Sequence, residues 1–305
     1  MKYGLNITAE GNLRHTIEKG VEGERLGFNF IWVFDRPAER YGPVVASALA
    51  SNTERIRIGL GISPLLHPPQ QISSAILTLI KAHGERFDLC LIPGDKHQLQ
   101  RVGVDHATTK NIPQYLLQVK NRVEEELARE KLRCRIWVGA QGPKMLRTAL
   151  HYGGVHLNYA SPRMISWALE QIGSAGERGA LEISVIPPSY VYVNFDEKIH
   201  RILRLAASLV AFGAPREALE AAGLYERLAD LRGLKGKPSK SDLESVSSEV
   251  VSEFSVSMPS ESLSNYVASI QRLGIAHLVF SYPQDYSLET IRELAKSLPL
   301  KLGDT

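Results

Sequence analysis

Short apolar runs alternate along the 305-residue chain with longer stretches of helical period. The first run covers 3–7. From there the apolar positions Leu13, Ile17, Val21 and Leu26 recur at near-helical spacing among Arg14, Glu18, Lys19, Glu22 and Glu24, which predicts an amphipathic helix stopping at Gly27. Strands over 28–34, 55–60 and 86–92 and helices over 44–50 and 70–82 continue the scheme through four β-α units. The second half repeats it, with strands over 135–138, 155–158, 184–193 and 277–280 and helical periods that include 206–210 and 216–231. Such alternation marks a parallel α/β sheet, and about eight strands is the number of a (β/α)8 TIM barrel. No linker composition splits the chain, so residues 1–305 read as a single barrel domain with insertions.

Composition then narrows the function. With 36 Lys+Arg against 33 Asp+Glu the net charge is +3, too small for the electrostatic footprint of a nucleic-acid binder. Cys90 and Cys134 are too far apart for a CxxC unit and are expected to pack as small apolar side chains on strands. The N-terminus runs straight into a strand pattern without a signal-peptide apolar region, and no run of ~18 apolar residues exists, so a cytoplasmic protein with no membrane contact is expected. No HExxH, no Cys/His cluster of ligand spacing and no GxSxG elbow occurs among the nine histidines and the serines, so no metal is expected. Of the histidines, His67 and His97 fall near candidate loops, whereas His151, His156, His200 and His277 are expected on helix or strand surfaces. Without a metal or an activated nucleophile, the chemistry belongs to a bound organic cofactor.

In a β/α barrel function gathers in the loops after the C-terminal ends of the strands. These loops carry Asn6, Asp35-Arg36, the 59–64 segment GLGISP, Asp95 within PGDK, and the 139–143 segment Gly139, Ala140, Gln141, Gly142, Pro143. Glycines there allow a planar ligand or a phosphate to approach the backbone, and Pro143 suits the first turn of a helix, where its missing N–H does no harm. An ordinary strand-to-helix turn would show the same residues. Gly59-Leu-Gly61 lacks the third glycine and the later acid of a dinucleotide fingerprint. Asp35 and Asp95 each stand beside a base, Arg36 and Lys96, and loop carboxylates of this kind are commonly solvated or locally paired.

At these loops the sequence resembles the bacterial-luciferase-like barrel superfamily and, within it, the coenzyme F420-dependent methylenetetrahydromethanopterin reductases of methanogenic archaea. The matching strings are KYGL at 2–5, GFNFIWVFD at 27–35, TERIRIGLGI at 53–62, PGDK at 93–96 and, most specific, VGAQGPKML at 138–146. LNYASP at 157–162, LVAF at 209–212 and FSV at 254–256 follow in the same order. The resemblance implies a deazaflavin in the barrel mouth against a non-prolyl cis peptide at Gly61–Ile62. It also implies contacts to cofactor or substrate from Asp35, Arg36, Asp95, Asn158 and the 139–143 loop. Hydride would pass from the deazaflavin to the one-carbon unit of a pterin substrate, in one-carbon metabolism, and a homo-oligomer is expected.

Two departures bear on activity. The reductases carry Glu where this chain has Asn6, and Asp-His where it has Asp35-Arg36. Opening a methylene pterin to an iminium needs a proton, which Asn cannot supply, so Asp95 would serve as the catalytic acid alone or the substrate differs. The charged 104–133 segment is short, which should reshape the substrate lid. Two further readings stand beside F420 reductase: an FMN-dependent luciferase-like monooxygenase, and a cofactor-binding relative without catalysis.

Overall fold

A computed structural model describes residues 1–8, 12–36, 40–94, 96–104, 111–233 and 238–300, with the backbone alone at 96–98. The first half runs β1 (Lys2–Asn6), α1 (Leu13–Arg25), β2 (Phe30–Phe34), α2 (Gly42–Ser51), β3 (Arg57–Ile62), α3 (Pro69–His83), β4 (Phe87–Leu91), α4 (Lys96–Arg101) and α5 (Ile112–Arg129). Then come β5 (Arg135–Gly139), α6 (Pro143–Thr148), β6 (Gly154–Leu157), α7 (Pro162–Gly173), β7 (Glu182–Val185) and β8 (Ser189–Tyr192). An insertion of α8 (Glu197–Gly213), α9 (Arg216–Ala221), α10 (Ala229–Gly233), α11 (Lys240–Glu244) and α12 (Ser248–Phe254) leads to β9 (Val256–Pro259). The chain closes with α13 (Leu263–Arg272), β10 (His277–Phe280) and α14 (Leu288–Lys296).

Eight strands close in the order β1-β10-β7-β6-β5-β4-β3-β2, all neighbours parallel, and β8 pairs with β9 outside the ring. This is the (β/α)8 barrel with insertions that the alternation predicts. Proline recurs in the first turn of the helices that follow strands, in α2, α3, α6 and α7, where a preset φ helps and no donor is lost. Among the described residues no helix is long and apolar enough to cross a membrane.

Two expected elements divide. The strand expected over 184–193 is two strands, because Pro187 and Pro188 have no N–H to give the barrel ladder and the chain leaves the ring after Val185. The helix expected over 216–231 stops at Ala221, and Gly223 takes a left-handed φ of 63° before α10 begins. The cis peptide expected at Gly61–Ile62 is also corrected: the one cis bond among the described residues is Tyr282–Pro283. Gly61 and Ile62 lie inside the ladder of β3, with Gly61 O accepting from Asp35 N at 2.7 Å and Ile62 O from Ile92 N at 3.0 Å, so the strand runs straight through that bond.

Alternation of side chains on each strand produces two cores. Ile31, Val33, Ile58, Leu60, Leu89 and Leu91 join the layer between sheet and helices, whereas Phe30, Trp32, Cys90, Trp137, Ile186 and Val279 fill the barrel. The interior packs by a repeated device, in which a large side chain lies over a glycine of the next strand. A methyl group on Gly59 would come within 2.1 Å of Trp32, and one on Gly154 within 2.2 Å of Trp137. Toward the C-terminal end Phe34 covers Gly61 and Ile92 covers Gly139 in the same way. At the N-terminal end the barrel is closed by charge: Arg57 pairs with Asp88 at 2.6 Å, and Glu182 takes both Arg135 and His277.

Candidate functional site

The barrel is sealed below and accessible above. Trp32, Cys90 and Trp137 are at most 1% exposed, while Phe34 and Ile92, one layer nearer the C-terminal end, are the partly exposed members of the interior cluster. Together they give the mouth an apolar floor. Asn6, at the end of β1, is partly exposed on the rim and donates from Nδ2 to Ser281 Oγ at 3.3 Å. Ser281, on the loop after β10, donates in turn to Ile186 O at 3.4 Å.

Asp35 and Arg36 follow β2. Burial of the Asp35 carboxylate is complete, and both its oxygens are engaged: Gly42 N donates to one at 2.6 Å and His67 Nε2 stands 2.7 Å from the other. The pair joins the loop after β2 to the loop after β3 and fixes the start of α2, where a carboxylate also suits the positive end of the helix. Arg36 forms an antiparallel bridge with Arg40, whose N–H donates to its carbonyl. Neither Gly61 nor Ile62 offers the bulge expected of them, since the space over Gly61 is filled by the Phe34 ring.

The 139–143 loop leaves β5 and enters α6. Gly139 is packed by Ile92, Ala140 N donates to His156 O at 3.0 Å, Gly142 is the N-cap residue and Pro143 opens the helix. Gln141 O accepts from Tyr159 Oη at 2.6 Å, and burial holds the Tyr159 hydroxyl in its protonated form by pushing its pKa up. The Gln141 amide nitrogen is buried with no hydrogen-bond partner among the described residues, a donor left for a ligand's acceptor. Asn158, after β6, is exposed. Asp95 lies outside the described residues, as does the His97 side chain.

Four features escape a reading of the sequence. His156 and His277 are not surface residues: they are 3% and 2% exposed inside the barrel. His156 stacks on Trp137 at 4.8 Å between ring centroids and meets Trp32 edge-on at 4.2 Å. Burial first, and His277 second, push its pKa down to about 3, so it is a neutral imidazole. The other two are the Asn6–Ser281 contact and the clamp at Asp285. The Asp285 carboxylate is fully buried and accepts from Thr8 N at 2.8 Å and Lys19 Nζ at 3.3 Å. His67 was detectable as a loop histidine, but its partner was not.

These residues fit a planar heterocycle with polar edges: an apolar floor, a polar rim of the Asn6 amide and the Ser281 hydroxyl, and an unpartnered donor at Gln141. Among the described residues no group of three or more His, Cys, Asp or Glu is placed to hold a metal ion.

Comparison with known proteins bears on which heterocycle. The sequence model of the luciferase-like monooxygenase family matches residues 2–277. The chain is 25% identical over 312 residues to a 5,10-methylenetetrahydromethanopterin reductase of Archaeoglobus fulgidus, covering 93% of this chain and 94% of that protein. A protein of the same name from Methanolobus tindarius matches at 25% over 308 residues, with the same coverage. The solved coenzyme F420-dependent tetrahydromethanopterin reductase of Methanopyrus kandleri superposes with a TM-score of 0.82 at 17% identity, over 97% of this chain and 98% of that one. An F420-dependent secondary alcohol dehydrogenase in complex with an F420-acetone adduct gives 0.68 at 13% identity, over 98% of each chain. At those identities the two structures establish the shared fold.

Proposed function

We propose that this chain, which belongs to the luciferase-like monooxygenase family, is an F420-dependent oxidoreductase acting on a one-carbon-loaded pterin of the tetrahydromethanopterin type. The observation that carries this reading is the match to two archaeal reductases along 93% of the chain. Bound in the mouth, the reduced deazaflavin supplies a hydride; the protein supplies alignment, which by itself removes ~7–11 kcal/mol of barrier in well-oriented reactions.

The chain's own residues divide that task. Phe34 and Ile92 exclude water from below, and the Gln141 amide together with the backbone of Gly139, Ala140, Gly142 and Pro143 holds the polar edge of the ring. Asp35 acts at a distance, through His67 and Gly42, by fixing two mouth loops. Asn6, Arg36 and Asn158 meet the substrate or the cofactor tail from the rim. Asp95 holds the proton at the pterin, so Asp95→Asn should keep cofactor binding and lower hydride transfer by about 10²–10⁴-fold. Asn6→Glu should raise the rate by adding a second carboxyl group. The same reading takes the whole chain as one unit, cytoplasmic and homo-oligomeric, and light scattering checks the last of these.

Titration with F420, FMN and FAD, followed by single-turnover oxidation of reduced F420 with and without methylenetetrahydromethanopterin, tests the reading. F420 binding with pterin-dependent oxidation is the expected result. Binding of FMN in preference to F420 would replace it by the monooxygenase reading, which the family's own description favours. F420 binding with no hydride transfer by wild type or Asn6→Glu would leave a binding protein or a different substrate.

A further inference from the structure

We propose that Phe34 is the platform on which the cofactor ring stacks, and that Gly61 is glycine so that the Phe34 ring can lie flat enough to serve. This deepens the reading of the mouth as a cofactor site and rests on it. Within the interior cluster Phe34 is the one aromatic side chain that is partly exposed; Ile92 shares the floor but has no flat face. The Phe34 ring is held from three directions. Trp32 lies 6.1 Å away at 25°, nearly parallel, His156 meets it edge-on at 6.2 Å, and Gly61 lies against it so closely that a methyl there would fall 2.1 Å from Cδ1. A ring fixed before the ligand arrives loses little freedom on binding, and a further planar π-system above it would extend the stack begun by Trp32.

The arrangement also explains a spacing that the sequence leaves open. Gly59 and Gly61 suggest a backbone cleared for a ligand, yet both clearances are taken by side chains of β2, Trp32 and Phe34. The ligand-facing surface is therefore moved from the backbone of β3 to the aromatic ring resting on it. Nothing in the packing demands an aromatic residue there, because a branched aliphatic chain, Ile92, covers Gly139 on the neighbouring pair of strands.

The test is affinity for F420 by fluorescence titration, with far-UV circular dichroism and melting temperature measured in parallel. Phe34→Leu keeps apolar volume and removes the flat face; it should weaken F420 binding about 10- to 100-fold while the apo protein stays folded. Phe34→Tyr keeps the ring and should restore most of the affinity. Gly61→Ala must displace the ring, so it should weaken binding in the presence of Phe34 and add little on top of Phe34→Leu, a coupling that a double-mutant cycle reads directly. Equal affinity of Phe34→Leu and wild type overturns the inference while leaving the cofactor reading intact. If wild type binds neither F420 nor FMN, the cofactor reading falls and the platform falls with it.

Discussion

His67 Nε2 stands 2.7 Å from one oxygen of Asp35, and the Gly42 N–H donates to the other at 2.6 Å. A carboxylate with no exposed surface thus ties two mouth loops and the first turn of α2 together. Removing it strands a partly buried imidazole and a helix-end N–H. Asp35→Ala should cost about 2–4 kcal/mol in denaturant unfolding, the range for losing buried hydrogen bonds to a charged group. A change under about 0.5 kcal/mol would mean that water replaces the carboxylate freely and that the clamp is not structural.

The interior glycines give a sharper contrast. Gly59→Ala and Gly154→Ala each drive a methyl into a tryptophan ring that has no room to retreat. Overpacking of this kind costs about 1–3 kcal/mol or more. In Gly142→Ala the added methyl would sit 3.7 Å from Pro215, ordinary contact distance, so its unfolding midpoint should stay near that of the wild type. Equal midpoints for all three variants would contradict the packing of large side chains over glycine.

Acid stability should report the buried histidines. His156 falls from 6.5 to about 3 in the fold, so as pH drops below 6.5 the unfolded chain takes up the proton first and stability declines toward pH 3. The slope is up to about 1.4 kcal/mol per pH unit for one group. His277 adds to it, since burial lowers its pKa despite the opposing Glu182. His156→Leu should therefore reduce the slope between about pH 6.5 and 4.5 without abolishing it. An unchanged slope would place a protonated His156 in the native barrel.

Glu22 should report at more acid pH than the histidines. Glu22 accepts from Arg25 and from Arg292 of α14, and these bonds, Arg25 first, hold it at about 2 from its ordinary 4.5 against the opposing effect of burial. Its contribution is complete above pH 4.5 and lost as pH falls toward 2. Glu22→Gln should be less stable than wild type near neutrality, and the two curves should converge on acidification through that window. Parallel curves would show that the arginines do not discriminate the charged form.

The linear pattern of the chain determined that strands and helices alternate, that about eight strands belong to a β/α barrel, that Pro143 opens a helix and which loops follow the strands, because each shows in a period or a turn signal that one element displays alone. Which face of a barrel strand looks inward is a different matter. Both faces are buried, one against helices and one against the interior, so the Val155-His156-Leu157 alternation of β6, which on a half-exposed strand would put His156 toward solvent, instead puts it inside the barrel. Partners far apart in sequence were equally hidden: Lys19 meets Asp285 across 266 positions, and Asn6 meets Ser281 across 275. Gly61 carries no side chain by which a reader could tell a ligand's clearance from a neighbour's. Only closure of the barrel, which sets β2 beside β3 in register, decided that the clearance belongs to Phe34.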